Sequence, residues 1–216
     1  MTRIAILDYG MGNLRSVEKG LQRIGADAVR TRDPEVASAA DGLVVPGVGA
    51  FPEAMLRIRE LELDALIAGR AAEGTPILGI CLGMQLLFDS TTEHGGAPGL
   101  GLLPGPVEPL RGSGLKVPHI GWEAVRWRRE SPLVRGIGDG EPFYFVHSFV
   151  ARPASADDVL GTAEYGERFA AVVERPPVWG AQFHPEKSST AGLRLLENFA
   201  AICAPVGAAP ASTSTE

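Results

Sequence analysis

The chain has 216 residues, of which 45% are hydrophobic and 21% are charged, and its formal net charge is −6. This length and composition predict one globular domain that buries a sizeable core without disulfides. The mild acidity argues against nonspecific nucleic-acid binding, and no apolar run reaches the length that spans a membrane. Two cysteines fit a reducing compartment, so we expect a cytoplasmic protein.

The first part of the chain alternates between strand and helix patterns. The predicted elements are a strand at 3–8, a helix that begins near Asn13 or Ser16, a strand at 28–31, a short helix from Pro34, a strand at 42–45, helices at 50–60 and 62–73, and a strand that ends at Cys81. Strands that alternate with helices in this way indicate a parallel sheet that is covered on both faces.

The second part of the chain has a different pattern. The helix after Cys81 is predicted to continue through Phe88, and the Gly- and Pro-rich residues 94–105 predict a surface loop. Further strands are predicted near 107–110, 122–127, 143–150, 169–174 and 178–183, followed by a final helix at 189–203. We expect these strands to extend the first sheet or to lie against it. One domain is predicted over 1–203, with a disordered tail at 204–216.

Cys81 stands where a strand pattern changes to a helical pattern, with Gly79 and Gly83 two residues away on each side. This spacing is the cysteine form of the nucleophile elbow, a tight turn that holds the nucleophile above a sheet. Glycines are needed because a side chain at either place would crowd the turn. The start of a helix beside Cys81 favours the thiolate, so the pattern predicts a nucleophile rather than a buried core cysteine.

A thiolate nucleophile needs a base and a group that orients the base. His184 and Glu186 are two residues apart, so in extended backbone both side chains point to the same side. Glu186 can then accept a hydrogen bond from the imidazole and fix its tautomer. His94 lies in the glycine-rich loop and is a poor base, whereas His119 and His147 remain open as structural or ligand contacts.

Acyl transfer also needs donors for a developing oxyanion. The elbow supplies the backbone N–H of Leu82, and the segment Pro46-Gly-Val-Gly49 at the end of the preceding strand can supply a second. A Gly-rich loop after a strand can instead hold phosphate. The absence of a Lys-Ser or Lys-Thr pair after it argues against a P-loop.

Two segments, Gly79-Ile-Cys81-Leu-Gly-Met-Gln85 and Phe183-His-Pro-Glu186, resemble the signatures of the class I (triad) glutamine amidotransferase family. Finer motifs resemble those members of the family that serve a separate cyclase subunit. They are Asp8-Tyr-Gly-Met-Gly-Asn13, Pro46-Gly-Val-Gly-Ala-Phe51, Lys116-Val-Pro-His-Ile-Gly-Trp122, Phe143-Tyr-Phe-Val-His-Ser-Phe149 and Gln182-Phe-His-Pro-Glu-Lys-Ser188. Together the motifs run through nearly the whole chain except its tail.

The resemblance implies an α/β, flavodoxin-like sheet with helices on both faces, extended by additional strands in the second half. It implies that Cys81 attacks the carboxamide of L-glutamine, that His184 is the acid and base, and that Glu186 orients it. Val48 and Leu82 would donate the oxyanion N–H groups. The implied chemistry requires no cofactor and no metal.

The resemblance also implies which residues bind glutamine: Gly47, Gln85, Glu93, His147, Ser148 and Phe149. A carboxylate at Glu93 suits the ammonium group of glutamine. The alternative for Glu93 is an ordinary exposed loop acid.

A cyclase partner with a (β/α)8 barrel is implied in the same way, joined to this chain in a heterodimer and supplied with ammonia through an internal passage. The implied docking residues are Asn13, Pro118, His119, Trp122 and Lys187. Two positions depart from the family pattern: Glu123 stands where Asn is usual, and Val150 where an aromatic residue is expected.

Three other functions remain open from the sequence. The chain could be the glutaminase subunit of another synthase, such as pyridoxal phosphate synthase, although Pro-His-Ile-Gly-Trp and Pro-Gly-Val-Gly argue against it. It could be a cysteine peptidase or hydrolase on the same elbow fold. A non-catalytic module is hard to reconcile with the joint presence of Cys81, His184 and Glu186.

Overall fold

The computed structural model describes residues 1–204, which form a large central sheet with helices against it. The elements are, in chain order, β1 (Arg3–Leu7), α1 (Leu14–Arg23), β2 (Asp27–Thr31), α2 (Pro34–Ser38), β3 (Gly42–Gly47), α3 (Phe51–Glu60), α4 (Leu63–Ala72), β4 (Ile77–Cys81), α5 (Leu82–Leu86), β5 (Phe88–Thr91), β6 (Ala97–Pro98), β7 (Leu103–Pro109), β8 (His119–Ala124), β9 (Arg126–Trp127), β10 (Pro142–His147), β11 (Phe149–Ala151), β12 (Val159–Glu164), β13 (Arg168–Arg175), β14 (Val178–Ala181) and α6 (Ser189–Cys203). The predicted disordered tail, apart from Ala204, lies outside the described residues. None of the helices in the described part is long and apolar enough to cross a membrane.

The central sheet has eight strands in the order β2-β1-β3-β4-β14-β13-β12-β9. The five strands from β2 to β14 run parallel, and β13, β12 and β9 continue the sheet in antiparallel fashion. Two smaller sheets, β10-β8 and β11-β7-β5-β6, accompany it. The predicted α/β sheet, extended by strands from the second half of the chain, is confirmed.

Each face of the central sheet is covered by its own apolar cluster, because alternate side chains of a strand point to opposite faces. Ile4 and Ile6 of β1 join the cluster that contains the inner faces of α1 and α6. Ala5 and Leu7 join the second cluster, which contains the inner faces of α3 and α4. Strands that are buried on both faces have continuous apolar sequences, and for this reason the sequence predicts β1, β3 and β4.

The second half differs from the prediction in several places. The predicted strands at 122–127 and 143–150 are each divided between two sheets, the first as β8 and β9 and the second as β10 and β11. The helix after Cys81 ends at Leu86, and Phe88 begins β5, which pairs in parallel with β7. The predicted loop at 94–105 contains β6 and the start of β7. Strand β12 was not predicted at all, although it pairs with β13 through five residues. Strand β5 is decided by its pairing with β7, whereas β12 forms a hairpin with β13 and β6 forms one with β5, so these two strands have partners that are near in sequence.

The site is positioned by the carboxyl ends of two neighbouring parallel strands. Strands β3 and β4 pair so that Gly47 lies opposite Cys81. In open α/β sheets this edge is where ligands bind, because loops and helix starts gather there. The Gly-rich segment at 46–49 and the predicted nucleophile are therefore brought side by side.

Candidate active site

The turn at Cys81 has the strand-to-helix geometry expected of an elbow. Cys81 ends β4 with φ 55° and ψ −112°, a left-handed backbone that is strained for a residue with a side chain. Gly83 passes so close to β3 that an added methyl group would overlap the Val45 carbonyl oxygen. The glycine is thus a steric requirement of the turn, as the sequence predicted.

His184 follows β14 and forms a buried pair with Glu186. The Nδ1 atom of His184 lies 2.9 Å from Oε1 of Glu186, and the two side chains are 2% and 1% exposed. A carboxylate only accepts, so Nδ1 carries the hydrogen and the tautomer is fixed. Among the described residues, Nε2 of His184 has no hydrogen-bond partner, which leaves it available for proton exchange.

The electrostatics of the pair favour the imidazolium. Burial by itself lowers the pKa of His184, but polar and charge interactions with Cys81 and Glu186 outweigh burial and raise the pKa to about 9. His184 is therefore protonated at neutral pH, beside the sulfur of Cys81. Because the folded-state pKa lies above the ordinary value, this interaction stabilises the fold fully below about pH 6.5 and is lost as pH rises through about 9.

The change Glu186→Gln is expected to lower the pKa of His184, because the amide keeps a hydrogen-bond acceptor but removes the charge that stabilises imidazolium. An NMR titration of the His184 ring measures this directly, with wild type titrating near pH 9 and the variant at lower pH. Turnover of substrate should fall less in Glu186→Gln than in His184→Ala. We expect the loss in His184→Ala to approach the loss caused by removing Cys81.

Equal and negligible effects of Glu186→Gln and His184→Ala on turnover would transfer the role of base to another histidine. The structure makes that outcome unexpected. Both ring nitrogens of His147 are occupied, Nδ1 by the Phe149 carbonyl at 3.0 Å and Nε2 by His119 at 3.1 Å.

Val48 and Leu82, the two residues predicted to donate N–H groups to an oxyanion, both line one cavity together with Cys81. Leu82 is the first residue of α5, so its N–H has no partner within the helix. Val48 follows Gly47, which lies opposite Cys81, and is 40% exposed. Gly49, with φ 98°, gives this segment a backbone conformation that favours glycine.

Tyr9, which sequence reasoning did not single out, anchors the start of this loop. Its hydroxyl donates to the carbonyl of Pro46 at 2.5 Å, and burial together with nearby Cys81 raises the pKa of the phenol. The phenol therefore stays protonated and remains a donor. A methyl group on Gly47 would lie 2.5 Å from this hydroxyl oxygen, so the packing requires glycine there.

One cavity of about 270 Å³ collects most of the predicted site. Its lining residues are Val48, Gly49, Cys81, Leu82, Gln85, Glu93, Pro118, Val146, His147, Ser148, Phe149 and His184. Every residue predicted to bind glutamine lines this cavity except Gly47, which lies beside it. The elbow, the His–Glu pair and a polar pocket therefore form one site.

Two of the predicted glutamine contacts already have protein partners. Oε2 of Glu93 accepts the N–H of Phe51 at the start of α3, at 2.7 Å, and the Glu93 side chain is only 13% exposed. Nε2 of Gln85 donates to the Phe149 carbonyl and to Oε1 of Gln182, each at 3.0 Å. Glu93 is thus not an ordinary exposed acid, and Gln85 braces the wall of the cavity.

Four of the five predicted docking residues have accessible positions. Trp122 is 50% exposed on β8, and its ring lies edge-on to Tyr144, with the centroids 5.9 Å apart. Nζ of Lys187 lies 5.8 Å from the centroid of the same Tyr144 ring. Pro118 is exposed and Asn13 is partly exposed at the start of α1.

His119 departs from the docking prediction, because its side chain is only 1% exposed. Strand alternation explains the burial: Ile120 and Trp122 point outward from β8, and His119 points to the other side. The two departures from the family pattern also have defined places. Glu123 is 35% exposed, and Val150 is fully buried.

No group of three or more metal-ligating side chains occurs within residues 1–204. The fold and the cavity instead define a class of enzyme. The family model for class-I glutamine amidotransferases matches residues 5–203, and the chain belongs to this family. A crystal structure of a glutamine amidotransferase superposes with a TM-score of 0.73 at 25% identity, covering 93% of this chain and 98% of that one.

The curated relatives point to one branch of the family. Imidazole glycerol phosphate synthase subunit HisH of Moorella thermoacetica is 51% identical over 199 residues, which cover 92% of this chain and 94% of the relative. The HisH subunit of Aquifex aeolicus is 48% identical over 198 residues, covering 91% and 95%. These alignments span nearly the full length of both proteins.

Proposed function

We propose that this chain is the glutaminase subunit of imidazole glycerol phosphate synthase, in histidine biosynthesis. It hydrolyses L-glutamine to glutamate and ammonia and passes the ammonia to a cyclase. The observation that carries the chemistry is the buried His184–Glu186 pair, which lines the same cavity as the Cys81 elbow. The HisH relatives support the particular synthase.

In the first half-reaction the Cys81 thiolate attacks the carboxamide carbon of glutamine. The carbonyl oxygen becomes an oxyanion and accepts hydrogen bonds from the N–H groups of Val48 and Leu82. The imidazolium of His184 then donates its Nε2 proton to the amide nitrogen. The carbon–nitrogen bond breaks, ammonia leaves, and a thioester joins the glutamyl group to Cys81.

In the second half-reaction the neutral His184 accepts a proton from water through Nε2. The resulting hydroxide attacks the thioester carbon, and the carbon–sulfur bond breaks to release glutamate and the Cys81 thiolate. Glu186 holds the ring in one tautomer throughout and stabilises the imidazolium each time it forms. The raised pKa of His184 suits this cycle, because the resting site then holds the proton that the leaving nitrogen needs.

The partner that we propose is a (β/α)8-barrel cyclase, which binds this chain as a heterodimer. It uses the ammonia to form imidazole glycerol phosphate and AICAR. The surface around Trp122, Tyr144 and Lys187 supports docking next to the site, because Tyr144 is bonded to the histidine segment. The N–H of His184 donates to the Tyr144 carbonyl at 2.9 Å.

The proposed function predicts a selective partner. Mixed with the cyclase subunit of imidazole glycerol phosphate synthase from the same organism, the chain should co-elute in gel filtration and support product formation with glutamine as the nitrogen source. Mixed with the synthase subunit of pyridoxal phosphate synthase, it should do neither. Glutamine-dependent activity with the second partner alone would assign the chain to another synthase, and turnover of peptides in place of glutamine would assign it to the hydrolases.

A further inference from the structure

We propose that His119 is a positioning residue of the glutamine site, which acts by donating a hydrogen bond to His147 and so fixes the main chain at the cavity wall. This inference deepens the proposed function and rests on it. Its basis is a buried chain of hydrogen bonds that leads from β8 to the cavity.

The contacts of His147 determine which nitrogen carries hydrogen. Nδ1 of His147 lies 3.0 Å from the carbonyl oxygen of Phe149. A carbonyl only accepts, so the hydrogen sits on Nδ1. The pKa of His147 is lowered to about 4, mainly by burial and also by His119 and His184, against the raising effect of this hydrogen bond. The ring is therefore neutral at neutral pH, and its Nε2 is an acceptor.

The donor to that acceptor is His119. Its Nδ1 lies 3.1 Å from Nε2 of His147, and the two residues are direct cross-strand neighbours on β8 and β10. Since Nε2 of His147 must accept, Nδ1 of His119 must donate. Both rings thus carry hydrogen on Nδ1. Each hydrogen bond in the series therefore has its donor on the side of β8 and its acceptor on the side of the cavity.

Apart from its hydrogen bond to His147, the His119 ring is surrounded by aromatic side chains. Its ring stacks on Tyr165, with centroids 4.0 Å apart, and on Phe145 at 5.4 Å, so packing holds the ring orientation. Among the described residues, Nε2 of His119 has no hydrogen-bond partner. Its nearest carboxylate oxygen, Oε1 of Glu123, is 3.7 Å away. The hydrogen bond to His147 is thus the polar contact by which His119 acts.

The series of hydrogen bonds ends at the Phe149 carbonyl, in the wall of the cavity. The Phe149 carbonyl accepts from His147 and also from Nε2 of Gln85. Two donors on one carbonyl fix the orientation of that peptide. Residues 147–149 line the cavity together with Gln85 and Glu93. His119 therefore orients the part of the site that we assign to the amino-acid end of glutamine.

The test separates the hydrogen bond from the ring. His119→Phe keeps the stacked ring but removes the donor, and His119→Asn keeps a donor near the position of Nδ1 but removes the ring. Tyr165→Phe is the matched control, because it removes the hydroxyl that donates to the Lys116 carbonyl at 2.9 Å and keeps the stacking on His119. Glutamine hydrolysis is measured in the complex with the liganded cyclase.

We expect His119→Phe to raise KM for glutamine about tenfold, since a lost buried hydrogen bond of about 1.4 kcal/mol corresponds to that factor. The value of kcat should change much less, because contacts to the remote end of glutamine are equal in ground and transition states. His119→Asn should recover most of the affinity, and Tyr165→Phe should leave KM within twofold. A purely structural defect would reduce the active fraction, and hence kcat, without moving KM.

A second readout needs no turnover and no partner. Nitrogen-15 NMR of the imidazole rings in the purified chain at neutral pH should show hydrogen on Nδ1 of both His119 and His147. Hydrogen on Nε2 of His119 in place of Nδ1 would overturn the proposal, as would an unchanged KM in His119→Phe or an Asn variant as impaired as the Phe variant. Failure of the wild-type complex to hydrolyse glutamine would instead refute the proposed function, and the ring tautomers would still be measurable.

Discussion

Replacing Cys81 with alanine is expected to reduce glutamine hydrolysis by a factor of about 10³ to 10⁶, the range that follows loss of a nucleophile from a triad. Cys81 is the one cysteine that lines the cavity, and its elbow backbone is strained to present the sulfur there. The variant complex should still form product when an ammonium salt is added, because the cyclase chemistry does not pass through this site. Steady-state glutamate release and ammonium-dependent product formation measure the two activities separately.

The matched control for this experiment is Cys203→Ala. Cys203 is also buried and unpaired, but it lies at the end of α6 and packs against Gly42, at the opposite end of β3 from Gly47. Its substitution should leave glutamine hydrolysis intact. Retention of a tenth of the wild-type rate in Cys81→Ala would mean that Cys81 is not the nucleophile.

The elbow was predictable from sequence because its requirements are local. A tight turn between a strand and a helix excludes side chains at fixed offsets, so Gly79, Cys81 and Gly83 carry the whole signal within five residues. The His184–Glu186 pair was predictable for the same reason, since its geometry follows from a spacing of two in extended backbone. What brings the two motifs together is the parallel pairing of β4 with β14, and here the family resemblance supplied what spacing alone does not.

Most of the parts that sequence reasoning missed depend on contacts between distant segments. Tyr9 reaches Pro46 across 37 residues, and Gln182 reaches Gln85 across 97. Phe88, the first residue of β5, reads as the end of the preceding helix because it continues the apolar spacing of Met84 and Leu87, and only the pairing of β5 with β7 shows that it begins a strand. The burial of His119 is a different case, because the inward and outward alternation of side chains along β8 could have predicted it. The docking prediction treated 118–122 as a single segment and did not separate the two faces of the strand.

The second large effect that we expect is activation by the partner. The purified chain alone should be a poor glutaminase. The rate of glutamine hydrolysis should rise by a factor of about 10² to 10³ when the cyclase and its nucleotide ligand are both bound, because one additional oxyanion donor changes the rate by that factor. Free hydrolysis would release ammonia where most of it becomes ammonium, which is a poor nucleophile. A site that works only when docked avoids that loss.

The physical basis of this switch lies in the segment from Pro46 to Gly49. The Tyr9 hydroxyl fixes the Pro46 carbonyl, so the start of the segment is anchored, whereas Val48 is 40% exposed and Gly49 has a backbone that glycine alone adopts readily. Rotation of the peptide that contains the Val48 N–H would present or withdraw one donor without moving Cys81. We therefore expect kcat to carry the activation, since that donor acts on the oxyanion.

Substitution of the docking surface provides the control. Trp122→Ala should weaken the activation and raise the concentration of cyclase that gives half-maximal activation. The reason is that large aromatic side chains carry much of the binding energy at interfaces. Leu56→Ala removes an apolar side chain that is also 50% exposed, but on α3, and should leave the activation unchanged. Rates are compared for the chain alone, with the cyclase, and with the cyclase and its ligand. Full activity of the chain alone, unchanged by the later additions, would refute both the gating and the assignment to this synthase, while the chemistry of Cys81, His184 and Glu186 would still hold.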